Sequence, residues 1–346
     1  STCAWKDAST SFNSEEGMRE LSDALSKVVD EHSLQTAGFH FVLGGELCVT
    51  KTVRGSSQEV RDELRKIEER SRLYLSLGPG EKVMVSNNQA IDARHEYAVA
   101  AICNQKTLNN IYAAATHAGI EAVSIEPALV SVNRAVGRLP DTPSEPYLLM
   151  HVDGDAFEVG VCHDGKLLLE FRPAGRHEKS NIGEVLQTHL SRLERHAGRV
   201  LRTAPPKLKD VYLCGNQDSV NETLRSFKSR TGFQVQVISP AKIQATWEMA
   251  EEVEASAMVP ALGRLLCSYL PKNEHGAPNF MKHIIASTRD PVGPVLLRSA
   301  IPLAAVLLVA VAGLLFNWHQ QGQMAILQEQ LDGLEVAKAR HRELRL

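Results

Sequence analysis

Residues 300–318 read AIPLAAVLLVAVAGLLFNW, nineteen positions with no charge and only Asn317 strongly polar. As a helix this stretch spans about 28 Å, close to the roughly 30 Å hydrocarbon core of a bilayer. A soluble core helix of that length normally carries a polar stripe, and this one has none. A single membrane crossing is therefore expected over residues 299–318, opened by Ala300 and closed by Trp318 as an interfacial anchor. Pro302 is expected in the first turn, where its missing N–H breaks no helical bond.

The flanks orient the crossing. Lys272, Lys282, Arg289 and Arg298 precede it, whereas residues 319–337 hold no Lys or Arg. Basic flanks stay on the cytoplasmic side, so residues 1–298 are expected there and the C-terminus across the membrane. Six cysteines agree with that placement. Cys3, Cys48, Cys103, Cys162, Cys214 and Cys267 include no C-x-x-C pair, and several lie in apolar runs. The pattern fits buried thiols in a reducing compartment rather than a disulfide frame or a zinc site.

Beyond the crossing, residues 319–346 carry a second pattern. Met324, Leu327, Leu331 and Leu334 recur at spacings of three, four and three, which is a heptad seam. Two readings stand: a solvated helix that continues the crossing, or a short coiled coil with a second copy or another chain. The seam ends where Lys338 and His341 interrupt it.

The rest of the chain is ordinary enough in composition to fold as two globular parts, with 43% hydrophobic residues. Lys and Arg number 38 against 41 Asp and Glu, a net charge of −3, and aromatics make up 5%. That excludes a broad basic surface for a phosphate backbone and stacking platforms for single strands, so no nucleic-acid partner is expected. Helical periodicity over 14–30 is followed by strand-rich GFHFVLGGELCVTKT at 38–52, where Gly44-Gly45 signals a hairpin. Ser56 and Glu59 form a capping box before a helix expected over 57–74. Strands over 82–86 and 96–103, a helix over 107–118, a strand over 122–125 and a helix over 127–136 complete this half. GRLPDTPSEP, residues 137–146, reads as a Pro-rich hinge.

After the hinge the pattern restarts as βββαβαβα. Strands are expected over 147–152, 157–162 and 167–171, a helix over 181–196, a strand over 211–214, a helix over 219–231, a strand over 235–238 and a helix over 259–270. Hairpins that feed β-α-β units give a mixed sheet covered by helices.

Three segments carry a family resemblance. YLLMHVDGDAFEVGVCHDGKLLLEFR, residues 147–172, resembles the second phosphate loop of actin-like domains. VYLCGN, residues 211–216, resembles their adenosine loop, and PALGRLL, residues 260–266, the late helix that packs on the nucleotide cleft. Within that superfamily the chain is most similar to the type IV pilus assembly protein PilM and to the cytoplasmic domain of the type II secretion protein GspL. In PilM-like systems the partner PilN begins with an Asn-Leu-Leu-like segment, followed by one membrane helix and a coiled coil. Here APNFMKH, residues 277–283, stands at that point, with the crossing in the same chain.

The resemblance implies an α/β, actin-like (ribonuclease H-like) two-lobed domain, one transmembrane helix and a short coiled-coil helix. The expected division is 1–140 for the first lobe, 141–298 for the second lobe and juxtamembrane segment, 299–318 for the crossing and 319–346 for the far-side segment. It further implies a scaffold in the bacterial inner membrane, with a periplasmic C-terminus and with PilN- and PilO-like platform proteins or a second copy as partners. Nucleotide contacts carry over to Asp153, Gly154, Gly215 and Asn216.

Departures from the pattern bear on chemistry. The family's Asp-x-Gly becomes Asp153-Gly154-Asp155, which sets a second carboxylate where phosphate would approach. The lobe-one phosphate loop would precede residue 14, and nothing there resembles it: it is expected either to be lost with a missing front of that lobe or to be absent. Gly215-Asn216 replaces a Gly-Gly pair mildly, because Asn tolerates positive φ. His151, His163, His189 and His196 lack ligand spacing, and no metal site is expected. No G-x-S-x-G, H-E-x-x-H or G-x-x-x-x-G-K-[ST] occurs. The cofactor stays open, with weakly bound ATP and magnesium the candidates, and no catalytic residue is assigned. The expected function is a non-catalytic scaffold for pilus assembly or protein secretion; the alternative is a membrane-bound actin-like ATPase or kinase.

Overall fold

The computed structural model describes residues 5–7, 10–153, 156–173, 181–228, 232–243, 256–270, 276–288 and 292–343. These form two compact units, residues 1–286 and 287–346.

In the first unit, helices start where the sequence supplies a cap. Ser14 Oγ accepts the Gly17 N–H to open α1 (Glu15–His32), whose first turn holds Glu15 and Glu16 against the positive end of the helix. After β1 (Gly38–Leu43) and β2 (Cys48–Gly55), Ser56 and Glu59 make the expected capping box for α2 (Ser57–Glu69). That helix stops at Glu69, short of the expected residue 74, and residues 71–73 and 75–77 form single 3-10 turns. Next come β3 (Lys82–Ala90), β4 (Glu96–Asn104), α3 (Gln105–His117), β5 (Glu121–Pro127) and α4 (Ala128–Val136).

The expected hairpin over 38–52 does not form. β1 pairs with β5 in parallel, and β2 pairs with β4 in a three-stranded antiparallel sheet of order β2-β4-β3. Gly44 and Leu47 do close a tight turn between β1 and β2. The Gly45 N–H, however, points to the Glu158 carboxylate of a distant strand. Local turn chemistry was read correctly; the strand partners were set by contacts from far along the chain.

The second half follows the expected order: β6 (Tyr147–Asp153), β7 (Ala156–His163), β8 (Lys166–Phe171), α5 (Ile182–Leu201), β9 (Asp210–Gly215), α6 (Gln217–Lys228), β10 (Gln234–Val237) and α7 (Val259–Leu266). Its five-stranded sheet runs β10-β9-β6-β7-β8, with β10, β9 and β6 parallel and β6, β7 and β8 antiparallel. The mixed sheet is as anticipated. β6 opens with an apolar run, Tyr147–Met150, because both of its faces are covered there. Tyr147 and Leu149 pack toward α4 and α7, whereas Leu148, Met150 and Val152 pack toward α5 and α6. α7 ends at Leu266 and a 3-10 turn takes residues 267–269, where a helix to 270 was expected.

The two halves meet along β2 and β8. Thr52 Oγ1 donates to the Leu168 carbonyl at 2.7 Å, Tyr97 Oη donates to the Leu167 carbonyl at 2.7 Å, and the Thr50 N–H donates to Glu170. Cys48, Cys103, Cys162, Cys214 and Cys267 are free and buried, and Cys3 lies outside the described residues. Burial pushes the Cys103 thiol up to about 12, so it stays protonated and unreactive near neutrality.

An eighth helix, α8 (Met281–Thr288), was not anticipated. The second unit is one helix, α9 (Val292–Glu343), 52 residues long. Its stretch Ala304–Lys338 is long and apolar enough to cross a membrane and is 0% buried. Pro302 lies inside this helix rather than in its first turn. The helix begins upstream at Val292, and Pro294 takes the first-turn position that has no N–H bond to lose.

Candidate functional site

Three places in the molecule bear on function: the strand ends at Asp153 and Gly215, a docked segment on β5, and the apolar surface of α9.

At the first, β6 and β9 run side by side, so Val152 stands opposite Gly215. The φ of Gly215 is +141°, and a Cβ there would run into the Val152 carbonyl. Only glycine can make that approach. The next residue returns to Val152, whose carbonyl accepts the Asn216 N–H at 3.0 Å. Asn216 Oδ1 then accepts the Asp218 N–H at 3.0 Å, which caps α6. Gly215 and Asn216 thus have structural duties that account for their identities. Asp153 is exposed at the end of β6, opposite Ala156, and Gly154 and Asp155 lie outside the described residues. Four cavities of about 280–680 Å³ are lined by described residues, and none includes Asp153, Gly215 or Asn216. Among the described residues no group of three His, Cys, Asp or Glu is placed to hold a metal ion.

Beneath that strand end lies a buried charge pair that sequence reasoning missed. His151 Nδ1 stands 3.3 Å from Glu158 Oε1, and Glu158 also accepts the Gly45 N–H of the first half. A side chain at Gly45 would collide with Glu158, which explains the second glycine of that turn. Burial works against a charged His151, but the hydrogen bond and charge of Glu158, with Asp153 adding, carry its pKa above the ordinary histidine value. The sign for stability follows. The pair's contribution is full below the ordinary histidine pKa and is lost as pH rises through the raised one. We expect the unfolding midpoint of the native chain to fall relative to that of His151→Gln between about pH 6 and about pH 8. Parallel pH profiles for the two proteins would refute this assignment.

A second buried carboxylate organises the β5 region. Glu126 has a side chain 2% exposed and meets Arg134 Nη1 at 2.9 Å, Arg264 Nε at 3.7 Å and the Ser131 hydroxyl. Arg264 Nε also donates to Ser124 Oγ at 2.6 Å, and His40 Nδ1 lies 2.8 Å from the same hydroxyl. Burial and the Arg264 charge depress the His40 pKa, with Glu126 opposing them. β1, β5, α4 and α7 are tied together by this one cluster.

Residues 277–284 dock beside it. The Phe280 N–H donates to the Ile125 carbonyl at 2.9 Å, and Asn279 Oδ1 accepts the Ile125 N–H at 3.0 Å. Asn279 therefore completes the free edge of β5 at Ile125, and its Oδ1 also accepts the Met281 N–H at 3.0 Å. Phe280, Met281 and Ile284 are buried with Leu108, Ile111, Ala115, Ile120 and Ile125. The sequence signal was present in APNFMKH, but its docking position is a non-local fact.

Along α9 the side chains of Val309, Phe316 and Trp318 are exposed, at 72%, 65% and 75%. Met324, Leu327, Leu331 and Leu334 are exposed as well. A helix of 52 residues is about 78 Å long, more than twice the hydrocarbon core, and the stretch apolar enough to cross a membrane, Ala304–Lys338, includes the seam residues.

No protein-family model matches this chain, and no curated protein sequence matches it. Solved structures do. A PilM–PilN type IV pilus biogenesis complex superposes with a TM-score of 0.51 at 13% identity, covering 74% of this chain and 87% of that one. An actin-like ATPase-fold protein of unknown function from Bacteroides thetaiotaomicron gives 0.37 at 12% identity, covering 64% and 77%. The cytoplasmic domain of EpsL, an inner-membrane component of the Vibrio cholerae type II secretion system, gives 0.35 at 8%, covering 70% and 80%. The first of these shows that the chain shares the mixed α/β fold of that structure.

Proposed function

We propose that this chain is a membrane-tethered, non-catalytic actin-like scaffold of an inner-membrane platform for type IV pilus assembly or type II secretion. The observation that carries the reading is the union, in one chain, of an actin-like fold with a helix of membrane-crossing length and hydropathy. A soluble kinase of this fold needs no such helix. The likeness to a PilM–PilN complex supports the pilus reading, and the docked Asn279–Phe280–Met281 segment stands where the sequence resembles the start of a PilN-like protein. In this reading the lobes face the cytoplasm and the C-terminus is periplasmic, as the basic flanks indicate. PilN- and PilO-like proteins or a second copy pair with the seam.

The seam is short, but the membrane helix supplies its helical nucleus and confinement to a bilayer raises effective concentration. The test uses the full chain in native membranes. It should fractionate as an integral protein, while a chain ending at Arg298 should be soluble. Cysteines at positions 327 and 331 should cross-link to a second copy or to an inner-membrane partner. A soluble full chain, or cross-links to neither, would overturn the platform reading.

The non-catalytic part of the proposal rests on the second carboxylate beside Asp153 and on the packing roles of Gly215 and Asn216. Purified full chain should hydrolyse ATP no faster than buffer. Steady turnover that Asp153→Ala abolishes would favour a membrane-bound ATPase instead.

A further inference from the structure

Away from the strand ends, a cavity of about 600 Å³ opens between β2, the 3-10 turns after α2, β8 and α5. That volume lies within the range of small-molecule sites. Its polar lining is rich in basic groups, with Tyr74, Ser76 and Glu170 beside them. α5 presents Arg192, His196 and Arg199 at helical spacing on one face, β2 adds Lys51, and Arg172 follows β8. The one carboxylate in the lining, Glu170, is already engaged by Arg172 and by the Thr50 N–H. Among the described residues no carboxylate pairs with Lys51, Arg192 or Arg199. Lys51 Nζ instead sits 5.6 Å from the centre of the Tyr74 ring. A neighbouring cavity of about 290 Å³ shares His196 and Arg199 and adds Arg54 and Arg202. The chain as a whole carries a net charge of −3, so this concentration of cations is local and not a by-product of composition.

We propose that this cavity is a binding site for a small, soluble oligophosphate-bearing molecule, held by Arg192, Arg199 and Lys51 with an apolar or planar portion against Tyr74 and Leu169. Arginine forks match phosphate oxygens, and unpaired cations in a recess attract a multiply charged anion. Elongation of the basic lining into the second cavity favours a chain of phosphates over a single one. The site is separate from Asp153 and extends the scaffold reading to a ligand that bridges the two halves across β2 and β8.

His196 offers an internal probe. Burial depresses its pKa; a hydrogen bond to the Leu168 carbonyl opposes this, and the Arg199 and Arg192 charges depress it further. A bound polyanion would reverse the sign of the electrostatic contribution.

The experiment titrates the full chain in detergent micelles with inorganic tripolyphosphate, without magnesium, by calorimetry and by the His196 ring resonance. We expect saturable binding, a raised His196 pKa, and affinity lowered about tenfold or more in Arg192→Gln/Arg199→Gln. Both side chains are exposed, so that variant should fold as the native chain does. Asp153→Asn should bind as tightly as the native chain. No saturable binding, equal affinity in the double variant, or loss of binding in Asp153→Asn would each overturn the proposal. Displacement of tripolyphosphate by phosphatidylglycerol vesicles would assign the site to a lipid headgroup and overturn the soluble ligand.

Discussion

Replacing Glu126 by Ala is expected to destabilise the folded body by about 3–5 kcal/mol, the usual cost of removing one partner from a buried ion pair. The cause is what the substitution leaves behind. Arg134 and Arg264 have side chains only 10% and 12% exposed, and both are directed at Glu126. Without the carboxylate they face each other as like charges in a poorly solvated place. The Gly263 carbonyl at 2.7 Å from Arg134 and Ser124 Oγ at 2.6 Å from Arg264 are neutral acceptors and do not offset a charge. Ser131 also loses its acceptor. A loss of this size is a fifth or more of the stability of an ordinary domain, about 5–15 kcal/mol. Denaturant unfolding of full-length protein in micelles should show the midpoint shift. Glu126→Leu combined with Arg134→Leu and Arg264→Leu should recover much of the loss, because no charge is then stranded. A loss under about 1 kcal/mol for Glu126→Ala would mean that water reaches the cluster and screens it.

Much of the architecture was legible because the local signals agree with the tertiary structure. β6 opens as an apolar run, Tyr147–Met150, because it is sandwiched, and α5 shows its apolar face at Ile182, Leu186 and Leu193 because one side meets the sheet. The caps at Ser14 and Ser56 mark helix starts by chemistry that acts over three residues. Pairing is different. Gly44-Gly45 has the composition of a hairpin turn, yet the contact that uses Gly45 comes from Glu158, 113 residues away. No short window holds that information. Pro302 misled for a related reason: a proline at the edge of an apolar run looks like a first-turn residue until the helix is seen to start at Val292.

The site was less legible than the fold. Asp153, Gly215 and Asn216 were selected by resemblance, and in the structure the last two serve the β6–β9 approach and the α6 cap. The more informative residues were single acids inside apolar strands: Glu126 in SIEPALV, Glu158 in AFEVGVC and Glu170 in LLLEF. A carboxylate in such a run must find a cation, an N–H or a proton. Each does so across a long sequence separation, Glu126 with Arg264, Glu158 with Gly45 and Glu170 with Thr50. The sequence showed that partners were required, but only the folded chain shows which they are.

Phe280→Ala is the second large effect, and it is expected to act locally. The side chain is 0% exposed, and truncating a fully buried Phe to Ala typically costs about 3–5 kcal/mol. That loss falls on a short segment held by two hydrogen bonds at Ile125 and by Phe280, Met281 and Ile284. Separating so small a segment exposes far less surface than unfolding the body, so it is the cheaper response. The expected result is release of residues 277–284 while the five-stranded sheet persists. Amide exchange reads this directly: Phe280 and Ile125 should lose protection by a factor of about 100 or more, while Leu149 and Leu213 keep theirs. Asn279→Ala should loosen the same segment more mildly, since it leaves the Ile125 N–H without its acceptor but keeps the buried ring. If Phe280→Ala instead lowers protection everywhere by the same factor, the segment is an integral part of the core. In that case it could not act as a separable link between the lobes and α9. Uniform protection in both variants would show that the groove on β5 does not hold the segment in solution.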